Sequence, residues 1–266
     1  MSIIRELKHF GSSLSLLIVE DEKPLNSELV SMLSLFFKSV DFAFDGLEGL
    51  ELYKKLKPDI VTLIEVDTGS LRARGKDQVK FFEEGLGMNN YAEKVKYPVT
   101  GWLKLFHHVP ILNKQANAII SKFPLNKIKY HVFHEGTKRM VIESTVTIKG
   151  KKVTLLAAHL ALGPKTRALQ IKELIGIVNK IKNPVILMGD FNTFNGESEM
   201  KDLMKKTHLK DRIALDKKSI PFTEPAWHPS KRLDWILTSP QIKIKKYSVL
   251  HFAFSDHLPL MIDFEV

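Results

Sequence analysis

The sequence predicts an α/β fold, and three observations carry the prediction. Apolar stretches alternate with amphipathic ones over residues 14–67, the pattern of parallel βαβ units. Residues 139–158 alternate around Lys149-Gly150-Lys151 as the two strands of a hairpin. Thr166 to Ile181 is amphipathic at helical spacing and returns the chain to a short buried strand, Pro184-Val185-Ile186-Leu187-Met188-Gly189-Asp190-Phe191-Asn192. That strand delivers a carboxylate and, two residues later, an amide. Strand side chains alternate faces, so Asp190 and Asn192 are expected on one side, with Phe191 in the packed layer opposite. Gly189 admits a close backbone approach just before them.

In chain order, Leu14–Val19 is an apolar strand that runs into the acidic cluster Glu20-Asp21-Glu22. Pro24 stands in the first turn of a helical pattern through Leu25, Leu29, Met32, Leu33 and Phe36. Val40–Phe44 is a short strand closed by Asp45-Gly46, and Leu47 to Leu56 is a helix stopped ahead of Pro58. Ile60–Val66 is a strand that carries Glu65. A polar, basic loop with Arg72 and Arg74 follows, then a mixed helical pattern and loop over residues 75–97. No internal repeat or low-complexity tract interrupts the chain.

At 266 residues the chain can bury a substantial core, as one large domain or two small ones. A content of 44% hydrophobic and 26% charged residues is that of a soluble globular protein. Cysteine is absent, which excludes disulfides and thiolate metal sites. Any metal must be held by oxygen or imidazole, and that favours hard cations. The first residues are charged and the apolar run after them breaks at Glu20, unlike a signal peptide or a spanning helix, so a soluble cytoplasmic protein is expected. The net charge of +10 is uneven: residues 1–67 hold 7 Lys/Arg against 12 Asp/Glu, residues 68–266 hold 33 against 18. A basic body suits a polyanionic or phosphorylated partner, although scattered lysines are also an ordinary solvated surface.

Six stretches, taken in order, go further than composition. They are Lys57-Pro58-Asp59-Ile60-Val61 leading to Glu65, Gln115-Ala116-Asn117-Ala118-Ile119-Ile120-Ser121-Lys122-Phe123-Pro124, His159, Gly189-Asp190-Phe191-Asn192, Arg232-Leu233-Asp234-Trp235-Ile236-Leu237 and Ser255-Asp256-His257-Leu258-Pro259-Leu260. Gly-Asp-Phe-Asn alone is a four-letter match, and an Asx turn explains it equally well. As an ordered set, the stretches resemble the endonuclease/exonuclease/phosphatase superfamily, the DNase I-like fold, over about residues 57–266. The resemblance implies a two-sheet α/β sandwich and a divalent-metal-dependent phosphoesterase using Mg²⁺ or Mn²⁺.

The first quarter is similar to something else. Leu-Leu-Ile-Val-Glu-Asp-Glu (16–22), Phe-Asp-Gly (44–46) and Lys-Pro-Asp-Ile-Val (57–61) resemble the front half of a response-regulator receiver domain. In that family the acidic pair, here Glu20 and Asp21, helps bind magnesium beside a phosphorylated Asp. That Asp position holds Ile64, which counts against phosphorelay signalling. The expected organisation is a receiver-like half-domain of βαβαβ units over residues 1–61, integrated into the core of a phosphoesterase domain over residues 62–266.

Hydrolysis of a phosphate ester needs neutralised charge, an activated water and a stabilised leaving group. Glu65 and Asp256 offer hard oxygen ligands for the metal. Asp190 can orient or deprotonate the attacking water, and Asn192 can donate to a phosphoryl oxygen. His257, with Asp234 as its orienting carboxylate, makes an acid–base pair, and His159 can donate to the phosphate or protonate the leaving oxygen. The resemblance assigns phosphate contact to Asn117, and Arg72 lies in a loop placed to read substrate. The superfamily's first-strand Asn has no counterpart before Glu65. Asp21 and Asp45 are its two possible replacements, and either would put a carboxylate where the family has an amide. The expected partner is nucleic acid, with phospholipid or inositol phosphates second. The competing readings are a catalytically impaired metal- or polyanion-binding chimera and a signalling receiver with a basic output domain.

Overall fold

Two residues with positive φ, Lys149 at 49° and Gly150 at 79°, close a tight hairpin. They form the two-residue loop between β7 (Met140–Ile148) and β8 (Lys151–His159), and the twist of such a loop matches that of the flanking strands. Around this hairpin the computed structural model describes residues 50, 53–69, 75–95, 115–136, 140–211, 221–251 and 255–266, together with the backbone of 15–19 and 39–43. Asp21, Asp45, Arg72 and the expected helix from Pro24 to Phe36 lie outside the described residues.

The chain divides into two units. The first comprises Met1–Leu56, Phe222–Lys231 and Val249–Pro259. In it β1 (Ser15–Val19) pairs parallel with β2 (Ser39–Ala43), in keeping with the strands expected there. The second comprises Lys57–Pro221, Arg232–Ser248 and Leu260–Val266.

The second unit contains an α/β sandwich. Its larger sheet has six strands in the order β10-β11-β9-β8-β7-β6, made of β10 (Lys210–Asp211), β11 (Asp234–Thr238), β9 (Val185–Asp190), β8, β7 and β6 (Asn126–Val132). Its pairs are antiparallel except for β8 with β9, which run parallel through the crossover helix α2 (Pro164–Val178). A smaller sheet orders β3 (Ile60–Asp67), β5 (Gln115–Ser121) and β4 (Asn90–Val95), with α1 (Gln78–Leu86) packed on it. Helix α1 begins at Asp77, whose carboxylate accepts the N–H groups of Val79 and Lys80, and stops at the left-handed Gly87. The strands β12 (Lys243–Val249) and β13 (Leu260–Glu265) pair with each other.

Because the central strands are covered on both faces, β8 and β9 are apolar without a break over Leu155 to Ala158 and Val185 to Met188. One row of β8, Val153, Leu155 and Ala157, joins Ile119, Ile142, Ile186 and Ala92 in the core between the sheets. The alternate row, Leu156, Ala158 and Leu160, packs on the outer face beneath Ile171, Leu174 and Val178 of α2 and Leu203 of α3 (Lys201–Thr207). Strands β4, β6 and β10 to β13 are additions to the elements read from sequence. The helical pattern expected over 75–97 is helix only at Gln78–Leu86 and continues as β4. Both β4 and β6 are edge strands rich in polar residues, Asn-Tyr-Ala-Glu-Lys-Val and Asn-Lys-Ile-Lys-Tyr-His-Val, so their apolar signal is thin. Among the described residues, no helix is long and apolar enough to cross a membrane.

Gly189 sits between Ala158 and Trp235 in the ladder at φ 138°, and a Cβ there would lie 1.9 Å from the Ala158 carbonyl oxygen. The close approach expected at this glycine is therefore that of the neighbouring strand. Gly189→Ala is expected to lower the unfolding free energy by about 3 kcal/mol or more, or to prevent folding, as measured by urea denaturation followed by circular dichroism.

Candidate active site

Four strands carry a polar residue at the end of their inward row. On β8 the row Val153, Leu155, Ala157 ends in His159, and on β9 Ile186 and Met188 are followed by Asp190. On β11, Asp234 precedes the inward Ile236, and on β5, Asn117 precedes the inward Ile119. The parallel register sets His159 opposite Asp190, and the antiparallel register sets Asp234 opposite Asp190 on the other side. Oxygens of the Asp190 and Asp234 carboxylates lie within 4.8 Å of each other.

Glu65 arrives differently. The pairing of β3 with β5 shifts between Leu63 and Val66, and Glu65 takes a left-handed φ of 59° within that bulge. A bulge re-aims a side chain at the cost of a ladder bond. Here Asn117 makes up the loss, because its Oδ1 accepts the Glu65 N–H at 3.2 Å. The Glu65 side chain, 40% exposed, comes to 3.6 Å from Nδ1 of His159, while Nε2 of His159 lies 3.2 Å from Oδ2 of Asp190. A 1% exposed histidine thus stands between two carboxylates. The two carboxylates face opposite nitrogens of the ring and so fix its orientation.

Asp190 and Asn192 do act together, though for a reason other than strand alternation. The strand ends at Asp190, and Asn192 turns back with φ 50°. Asn is one of the few residues besides glycine that tolerates this conformation. Its N–H donates to Asp190 Oδ1 at 2.8 Å, closing an Asx turn, and its Nδ2 donates to Asp190 Oδ2 at 3.1 Å and to the Leu160 carbonyl at 2.9 Å. Both hydrogens of the Asn192 amide are engaged within the protein, so in this arrangement Asn192 orients the Asp190 carboxylate. Phe191 lies fully buried in the outer core, as expected, and anchors the turn by about 3 kcal/mol.

Arg167 and Gln170 were not singled out in the sequence, yet they brace the loop that follows His159. Gln170 accepts the Ala161 N–H at 2.8 Å and donates to the Glu135 carbonyl at 2.8 Å. Arg167 donates to the carbonyls of Ala161 and Leu162 and clamps Glu199 through two bonds of 2.6 and 3.0 Å. The available signal was two polar residues in phase with the buried stripe Ile171, Leu174, Val178 of α2. At the far side, burial pushes the Tyr247 phenol well above its ordinary pKa, with the Arg232 guanidinium pulling weakly the other way.

Asp256 and His257 belong to the first unit. There the Ser255 hydroxyl donates to Asp256 Oδ1 at 2.9 Å, Ala226 N–H donates to the Asp256 carbonyl, and Leu258 N–H to that of Thr223. Of the expected site residues, the second unit brings together Glu65, Asn117, His159, Asp190, Asn192 and Asp234.

A family model described as "Endonuclease/Exonuclease/phosphatase family" matches residues 50–257, and the chain belongs to that family. Among curated proteins it is similar to a phospholipase C of Staphylococcus aureus, 25% identical, with 54% of this chain and 58% of that protein covered. The chain thus spans little more than half the length of that relative. Among solved structures it is similar to a family protein from Leptotrichia buccalis, with a TM-score of 0.62, 17% identity, and 95% of this chain and 99% of that one covered. The human Nocturnin catalytic domain with a bound sulfate anion aligns with a TM-score of 0.60 and 22% identity, over 82% of this chain and 85% of that one. D. rerio TDP2 complexed with a single-strand DNA product aligns with a TM-score of 0.61 and 17% identity, over 94% and 98%. At these identities the solved structures establish the fold.

Breaking the Arg167–Glu199 clamp leaves a carboxylate that is only 14% exposed without its cation. Arg167→Ala is expected to lower the unfolding free energy by about 3–5 kcal/mol in urea denaturation.

Proposed function

We propose that the chain is a divalent-metal-dependent phosphodiesterase whose substrate is nucleic acid. The observation that carries this reading is the unbroken polar array Glu65–His159–Asp190, placed where the inward apolar rows of the sandwich end. The donors fit a hard cation: they are carboxylates and amides, Glu65 is half-exposed beside the Asn117 amide, and the chain has no cysteine. Glu65 would hold the Mg²⁺ or Mn²⁺, together with Asp256 by its motif. A bound ion would supply charge neutralisation at the phosphoryl oxygens.

The remaining steps fall to the chain's own groups. Asp190 has its carboxylate fixed by the Asn192 N–H, the Asn192 amide and His159 Nε2, and it takes the proton of the attacking water. His159, poised between Glu65 and Asp190, donates to the phosphate as negative charge builds. Asn117 has its carbonyl oxygen on the Glu65 backbone and presents its amide hydrogens to a phosphoryl oxygen. Asp234 lies opposite Asp190, and Asp234 and His257 are each assigned to acid–base transfer by their motifs. The +10 charge supports a polyanionic substrate. A second reading, a phospholipid diester, is supported by the likeness to the staphylococcal phospholipase C.

Purified protein is expected to hydrolyse bis-p-nitrophenyl phosphate with Mg²⁺ or Mn²⁺ and to lose turnover with chelator. Asp190→Ala should lower kcat by about 10³-fold or more. Relative rates on single-stranded DNA and on phosphatidylinositol or sphingomyelin vesicles separate the two substrate readings. A folded wild type that turns over none of these would contradict the enzyme reading and favour an impaired scaffold.

A further inference from the structure

Directly after the Asp190–Asn192 turn, the chain buries a hydroxyl that this chemistry does not use. Thr193 is 2% exposed. Its Oγ1 donates to the Arg232 carbonyl oxygen at 2.8 Å and accepts the Trp235 indole N–H at 3.0 Å, so it is engaged in both senses. Its two partners flank Asp234 in sequence. Trp235 is 1% exposed, and the Arg232 guanidinium lies 3.5 Å above its ring. Nη1 of Arg232 is held in turn by Asp211 at 2.7 Å and Glu197 at 3.1 Å. Two residues earlier, the Phe191 N–H donates to the Leu233 carbonyl at 2.8 Å. The β9–β11 ladder formally ends at the Asp190–Asp234 pair, yet it is continued beyond that pair by these bonds.

We propose that Thr193 is a positioning residue. Its hydroxyl, held between Arg232 and Trp235, fixes the Asp190–Asn192 turn against the start of β11 and so sets the Asp190 carboxylate relative to that of Asp234. The inference rests on the reading of this site as a phosphodiesterase centre. Valine at 193 keeps the shape of threonine but leaves a buried indole N–H and a buried carbonyl without their partner, so the turn must shift to reach others. Serine keeps both bonds. Chemistry that depends on alignment loses rate when the reacting groups move by a fraction of an ångström, whereas ground-state binding of a small diester changes little.

The test compares wild type, Thr193→Val, Thr193→Ser and Trp235→Phe in Mn²⁺-dependent hydrolysis of bis-p-nitrophenyl phosphate, below the melting transition of each protein. The expected result is a tenfold or larger fall in kcat for Thr193→Val, with KM within twofold. Trp235→Phe should fall between, and Thr193→Ser should stay within twofold of wild type. A folded Thr193→Val with wild-type kcat overturns the proposal, as does an equal loss in Thr193→Ser. If Thr193→Val does not fold, Trp235→Phe decides: wild-type kcat overturns the proposal, and reduced kcat at unchanged KM supports it. An inactive wild type would contradict the phosphodiesterase reading instead. Positioning is then read from the Asn192 side-chain amide resonances. They are expected to move in whichever of Thr193→Val and Trp235→Phe folds and to stay in Thr193→Ser, and unmoved resonances overturn the proposal.

Discussion

The parallel pairing of β8 with β9 is the constraint on which the site depends. It places His159 directly opposite Asp190 at the end of two inward rows. Because side chains alternate along a strand, a slip of one residue would send both groups into the layer filled by Leu174 and Leu203 and bring Leu160 and Phe191 inward. Two features hold the register. The crossover through α2 is braced by Arg167 and Gln170 on the loop after His159, and Gly189 lets the two backbones meet where a side chain would collide with Ala158.

Around that pair, each remaining group is set by a different kind of local structure. Asp234 comes by strand register, Asn192 by an Asx turn in left-handed backbone, and Glu65 by a bulge repaired by Asn117. Backbone in sparsely populated regions costs about 1–3 kcal/mol per residue and persists where the surroundings enforce it. Fully buried neighbours such as Phe191, Leu156 and Ile119 supply that enforcement, since each contributes about 1.5–3 kcal/mol on leaving water. A polar site can therefore be built at the rim of an apolar core without polar groups inside it.

Much of this was legible in the sequence, and the failures have physical causes. The hairpin around Lys149-Gly150, the helix after His159 and the strand into Asp190 are periodic and bounded by Gly or Pro, so they were read directly. Edge strands β4 and β6 carry few apolar residues and were missed. The Asp190–Asn192 association was anticipated from alternation, but it arises from a turn, because nothing in Gly-Asp-Phe-Asn announces a φ of 50° at Asn192. The bulge at Glu65 was likewise invisible, since it is specified by Asn117, 52 residues away. Thr193 and Arg167 were passed over because their meaning lies in partners that the chain brings together only on folding.

In the proposed function Glu65, aimed by its bulge, would hold the divalent cation. Calorimetric titration of Mn²⁺ into wild type and Glu65→Gln tests it most directly, because it reads the ion and not the reaction. The account predicts a saturable site in wild type, with affinity reduced about tenfold or more in a folded Glu65→Gln. Equal affinity in the two proteins, or no saturable binding in wild type, would contradict it.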